Sequence, residues 1–124
     1  MTQVFAIAVG GAIGAMLRFW LSTGVYSMLG RGFPYGTLVV NVVGSLLMGV
    51  LYILLIERMA LDVIWRAGLL IGVLGAFTTF STFSIETLML LEQGEGIKAV
   101  ANVLITVLVC LLATWVGMGL GRQL

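Results

Sequence analysis

The residues with chemistry to offer are hydroxyls, amides and rings set in apolar surroundings. Residues 75–86 read GAFTTFSTFSIE. Thr78, Thr79, Ser81, Thr82 and Ser84 put five hydroxyls in seven positions, Phe80 and Phe83 add two rings, and Glu86 adds a carboxylate. A second series, Asn102, Thr106, Cys110 and Thr114, recurs every four residues. Each step of four advances about 40° beyond a full helical turn, so the series forms one slowly winding stripe. Asn41 stands in VVNVVGS and Arg18 in AMLRFW. Neutral donors of this kind can replace the water around a small ion. Weak binding at several such sites lets the ion leave as well as enter. Catalysis has no support: there is no histidine and no nucleophile–base pair. The single cysteine, Cys110, excludes an internal disulfide and offers no thiol cluster for a metal. The pattern points to a path for a small ion, not to an enzyme.

Each feature has a plainer explanation. Thr and Cys in an apolar helix often bond back to the preceding turn. Aromatics at helical spacing are usually core. Arg18 can snorkel to an interface, and Asn41 can serve as an interhelical hydrogen bond. Two features favour the ion path. The stripe lies at the same depth as the hydroxyls of 78–84. Those hydroxyls also compete for backbone groups and weaken a helix, directly after Gly75, which offers no side-chain support. Together they predict a helix broken in mid-membrane. Irregular backbone persists there only when buried in protein or lining a watery cavity. The carbonyl oxygens that such a break frees suit a hard cation such as sodium.

The elements that must position these residues are membrane spans. The chain has 124 residues, 61% hydrophobic and 9% charged. Its charges leave four long uncharged stretches, 1–17, 32–56, 67–85 and 99–121. Crossing about 30 Å of hydrocarbon takes roughly 20 apolar residues. We therefore expect an all-α membrane protein, one four-span domain over residues 1–124, with spans at about 4–21, 36–56, 67–91 and 99–119. Residues 1–17 lack a basic leader and read as the first span rather than a signal peptide. Ser22 to Tyr35, with the only proline, reads as a turn-rich loop. Glu57 to Arg66 reads as a charged loop with Trp65 as an interfacial anchor, and EQGEGIK as a polar turn. A net charge of +1 gives nucleic acid no foothold.

Four spans return both termini to one side. That side carries Arg58, Arg66 and Arg122; the other carries Arg31 and Lys98, with Arg18 near it. Orientation follows an excess of cytoplasmic Lys and Arg, and here the two sides are nearly balanced. The expectation is dual topology and an antiparallel homodimer. Depth supports this, at about 1.5 Å per residue. Thr78 lies about mid-membrane, and Ser81, Ser84, Glu86, Asn41, Asn102 and Thr106 lie in the half away from the termini. An inverted copy would complete the corridor. Small residues four apart (Gly10 and Gly14, Ser45 and Gly49, Gly68 and Gly72, Gly117 and Gly121) allow close helix packing.

At GGAIGAMLRFW (10–20), GTLVVNVVGSLLMG (36–49) and GAFTTFSTFSIE (75–86) the sequence resembles the CrcB/Fluc family of fluoride channels. The resemblance covers essentially the whole chain, and the third element is the most specific. It implies a dual-topology homodimer in the bacterial inner membrane, with two antiparallel pores that export fluoride passively and lower its toxicity. It assigns Phe80, Phe83 and Asn41 to the fluoride path with the Ser81, Thr82 and Ser84 hydroxyls. It assigns Thr106, Cys110 and Thr114 to a polar track, and Arg18 and Glu86 to the vestibules. It assigns the backbone carbonyls of Gly75 and Thr78 to a structural sodium ion between subunits. Cys110 stands where the family's track has a hydroxyl, and GVLGAF replaces the commoner cysteine–glycine–glycine run. The rival is a proton-coupled exporter of the small multidrug resistance type, which relies on a carboxylate in the first span; none stands there.

Overall fold

In the computed structural model, residues 1–58 and 62–124 are described. The middle of the loop expected at 57–66 therefore lies outside the described residues. Helix α1 covers Thr2–Leu29, α2 Tyr35–Tyr52, α3 Val63–Arg66, α4 Gly75–Phe77, α5 Phe80–Glu92 and α6 Gly96–Gln123. Two π-helical runs join them, π1 (Ile53–Arg58) after α2 and π2 (Ala67–Leu74) between α3 and α4. They assemble into four rods, Thr2–Leu29, Tyr35–Arg58, Val63–Glu92 and Gly96–Gln123, each long and apolar enough to cross a membrane. The protein is an all-α, multi-pass membrane protein.

The first rod is longer than its uncharged stretch. Ser22 to Leu29, read above as loop, continues α1. The hydroxyls of Ser22 and Ser27 donate to the carbonyls of Phe19 and Gly24, so they satisfy themselves within the helix. The true connection is Gly30 to Pro34. It opens at Gly30, whose φ of 81° lies where only glycine sits without strain. At the other tight turn, Gly94 (φ 79°) closes α5. Glu95 N–H donates to Leu90 O and Gly94 N–H to Leu91 O, the paired bonds of a Schellman ending.

Two seams hold the rods at close range. Gly10 and Gly14 of α1 lie against the backbone of π2: a Cβ on Gly14 would stand 2.1 Å from Val73 O. Gly49 of α2 and Gly117 of α6 seat on each other's helices, with Thr114 O and Leu46 O each 2.3 Å from the missing Cβ. Backbones that approach this far gain dispersion contacts that no larger residue would permit. All four small-residue pairs thus work inside one chain, Gly72 resting against Ile7 O and Gly121 against Ile53. Outward, the rods carry large apolar side chains: Trp115, Leu111, Leu108 and Phe19 are all largely exposed. In water such a surface would aggregate; on a membrane span it faces hydrocarbon or another apolar partner.

Candidate functional site

The third rod is interrupted at Thr78 and Thr79. Their backbones are extended (φ −84°, ψ 158° and φ −152°, ψ 119°), between the helical ends of α4 and α5. The cause is a side chain from α2. Asn41 Nδ2 donates to Thr79 O at 2.9 Å, and Thr79 N–H donates to Asn41 Oδ1 at 2.8 Å. The buried amide imitates a peptide group and takes both hydrogen bonds of Thr79. Thr79 then caps α5: its Oγ1 accepts from Thr82 N–H at 3.2 Å and donates to Thr82 Oγ1 at 3.1 Å. A side-chain acceptor on an exposed N-terminal N–H is the usual way a helix starts. Gly44, one turn below Asn41, makes room, since a Cβ there would meet Thr78 Cγ2 at 2.2 Å.

The interruption takes the regular helical donors from the carbonyls of residues 75 to 78, Gly75 and Thr78 among them. Thr79 N–H, which would serve Gly75 O, goes to Asn41; Thr82 N–H, which would serve Thr78 O, goes to Thr79 Oγ1. These are the two carbonyls that the family resemblance assigned to sodium. Neutral carbonyl oxygens suit a hard cation, so the donor set fits. Gly75 itself is helical (φ −62°, ψ −39°) and exposed, and a Cβ there would have ordinary space. The break therefore falls three residues after Gly75, set by the Asn41 clamp and not by glycine flexibility.

The break opens one side of a cavity of about 430 Å³. Asn41, Thr78, Thr79, Phe80, Phe83, Thr106, Cys110 and Thr114 all line it. Asn41, both phenylalanines and the last three stripe residues are thus brought together. The rings of Phe80 and Phe83 stand 5.3 Å apart and tilted by 47°. Phe83 is packed inside (7% exposed), whereas Phe80 projects from the chain (76% exposed). Ser81, Thr82 and Ser84 do not line this cavity. Ser81 and Thr82 join the Thr79 hydroxyl network, and Ser84 donates to Phe80 O at 2.9 Å. Thr114 donates to Cys110 O at 3.0 Å or Ser45 O at 3.2 Å. Cys110 is a half-buried free thiol.

Glu86 occupies a separate pocket of about 210 Å³ with Tyr26, Arg31 and Gln93. Tyr26 donates to Glu86 Oε2 at 3.0 Å, and the Arg31 guanidinium stands 4.4 Å above the Tyr26 ring. The other carboxylate oxygen, Oε1, is buried with no partner among the described residues. Arg18 lines neither pocket and makes no ion pair among the described residues. Sequence reasoning missed Tyr26, because it lay in the presumed loop, and missed the role of Thr79, one hydroxyl among five. Threonine is a common N-cap residue, but Thr78 and Ser81 carried the same signal.

Comparison with known proteins adds a family. The description "CrcB-like protein, Camphor Resistance (CrcB)" matches residues 5–118. A protein of Methylococcus capsulatus named fluoride-specific ion channel FluC is 58% identical over 122 residues; the match covers 98% of this chain and 54% of that one. The chain thus spans about half the length of that relative. Proteins of the same name from Geobacter sulfurreducens (50% identical, all of both chains) and Pseudoalteromonas translucida (50% identical, 94% of this chain and 98% of that one) match end to end or nearly so.

Proposed function

Because the chain belongs to the CrcB family, matched over almost its whole length, we propose that it is a fluoride channel, passing the ion down its gradient out of the cytoplasm of a bacterium through the inner membrane. The relatives' shared name, fluoride-specific ion channel, supports the ion's identity. The observation that carries the mechanism is the Asn41–Thr79 clamp. It breaks the third rod at its midpoint, which puts Phe80, Phe83, Asn41 and the α6 stripe around one cavity. Thr78 and Thr79 halve the rod Val63–Glu92, which supports a mid-membrane depth.

Fluoride is small and strongly hydrated, so leaving water is costly unless donors replace it. Asn41 spends one of its two amide protons on Thr79 O and keeps the other. The Cys110 thiol is a weaker donor on the same wall. Phenylalanine edges carry partial positive charge, and Phe80 and Phe83 present two of them. All these groups are neutral, so binding stays weak enough for exit. In this reading Ser81, Thr82 and Ser84 support the break and the start of α5, while Arg18 and Glu86 belong to the mouths.

The cavity is open on the side where Phe80 projects. A second copy, inserted the other way up, would close it, and the near balance of Arg and Lys on the two faces permits both insertions. This antiparallel homodimer would carry two pores. Gly75 and Thr78 carbonyls would hold a structural sodium ion at its centre, where the cation would add positive potential beside the path.

The test is fluoride release from liposomes read by a fluoride electrode, with chloride as control and no proton gradient. Release of fluoride and retention of chloride is expected. A requirement for a proton gradient would overturn the passive reading. Tags at the chain ends should be found on both sides of the membrane; a single side would overturn the dimer.

A further inference from the structure

We propose that Thr87 and Asn102 are positioning residues that hold the Thr106 hydroxyl proton away from the cavity, so that Thr106 meets the ion with lone pairs rather than with its proton. The inference rests on the reading that this cavity conducts fluoride. It follows from the direction of three hydrogen bonds. Thr87 Oγ1 lies 2.7 Å from Phe83 O. A carbonyl only accepts, so the single Thr87 proton is spent there. Whatever else faces the Thr87 oxygen must donate, and Asn102 Nδ2 does so at 2.9 Å. That fixes which way the Asn102 amide points. Its Oδ1 therefore faces Thr106, whose hydroxyl donates to it at 3.3 Å.

Asn102 is only 2% exposed. Turning the Thr106 proton toward the cavity would strand Oδ1 as a buried acceptor, which is unfavourable. The Thr114 proton is likewise given to backbone carbonyls. Both hydroxyls of the stripe that line the cavity are thus committed within the chain. An arriving anion finds the second Asn41 proton, the Ser45 hydroxyl and the Cys110 thiol as donors, without the Thr106 proton beside them. The relay works as a restraint on affinity: it keeps a strong donor out of a path that the ion has to leave.

Thr87→Val keeps the shape of residue 87 and removes its hydroxyl. Nothing then holds the Asn102 nitrogen toward residue 87, so the amide samples both orientations; in the turned one its nitrogen faces Thr106 and the Thr106 proton is released to the cavity. The half-saturating fluoride concentration for liposome efflux should fall about threefold to tenfold, the range of one neutral hydrogen bond. The tightening should vanish in the double variant Thr87→Val/Thr106→Val. No shift in Thr87→Val, or a shift that persists in the double variant, overturns the proposal. Absence of fluoride efflux from the native protein would instead overturn the channel reading. In that case side-chain amide hydrogen exchange of Asn102, followed by NMR, decides. One Nδ2 proton should exchange at least about tenfold faster in Thr87→Val than in the native chain, as loss of a buried hydrogen bond requires. Equal rates would sink the relay.

Discussion

Two kinds of seam hold this molecule, and they serve different ends. Where α1 meets π2 and where α2 meets α6, glycines let backbone rest on backbone. Where α2 meets the start of α5 and where α5 meets α6, side-chain amides reach across to backbone or hydroxyl groups. The first kind needs only small size, and the cavity beside it at α1 and π2 has an apolar lining that includes Gly10 and Gly68. The second needs donors and acceptors in a stated order, and it leaves a cavity beside it. In hydrocarbon no water stands by to satisfy a broken helix, so a break can exist only where side chains replace the missing bonds. Glycine seams give rigidity; amide seams allow the irregular backbone on which an ion path depends.

Breaking a glycine seam should have the largest effect. Gly117→Val puts a Cβ where Leu46 O is 2.3 Å away, and backbone cannot yield as a side-chain tip can. Overpacking costs about 1–3 kcal/mol, and this contact belongs at the upper end. Loss of a monodisperse peak in detergent chromatography and a lowered Tm check it. Retention of the native Tm would show that the seam is looser than the contact distance implies.

Breaking the amide seam should have an effect of the same size. Asn41→Ala leaves Thr79 N–H and C=O unpartnered in a buried position. One such orphaned group costs about 1–3 kcal/mol. We expect fluoride efflux to fall about tenfold to hundredfold, as that cost implies if the break reshapes. Thermal shift and efflux measured on the same preparation test it, and both should move.

Phe80→Leu sharpens the contrast, because it should separate the two readouts. Phe80 is 76% exposed in the single chain, so Tm in detergent should change by little. Efflux should fall about threefold to tenfold through loss of the ring edge, an interaction of about 0.5–1.5 kcal/mol. An unchanged flux would remove Phe80 from the path. The smallest effect is expected for Tyr26→Phe, which loses the hydrogen bond to Glu86 and a long contact of 3.5 Å with Thr37 Oγ1 on a half-exposed tyrosine. The cost should be about 0.5–1.5 kcal/mol, seen as a slight fall in Tm.

The spans were legible because hydrophobic runs set them, and the loops were less so. Ser22 and Ser27 looked like loop residues but turn their hydroxyls back onto their own helix. The two π-helical runs carried no mark in the sequence. Of the site residues, Asn41, Phe80, Phe83, Thr106, Cys110 and Thr114 line one cavity. Ser81, Thr82 and Ser84 lie outside that lining and hydrogen-bond within the third rod, since position along an axis says nothing about direction around it. Gly75 drew attention as the weak point, yet the backbone departs from helix at Thr78.

The sequence by itself determined that the chain crosses a membrane four times, that hydroxyls and amides recur within its apolar runs, and which family it joins. These follow from composition and from one-dimensional periodicity, which a helix converts directly into depth and face. Which hydroxyl gives its proton to which oxygen, and where the third rod parts, were decided only in three dimensions. A hydrogen bond has a direction and a reach of about 3 Å, and Asn41 lies 38 residues from the peptide it captures.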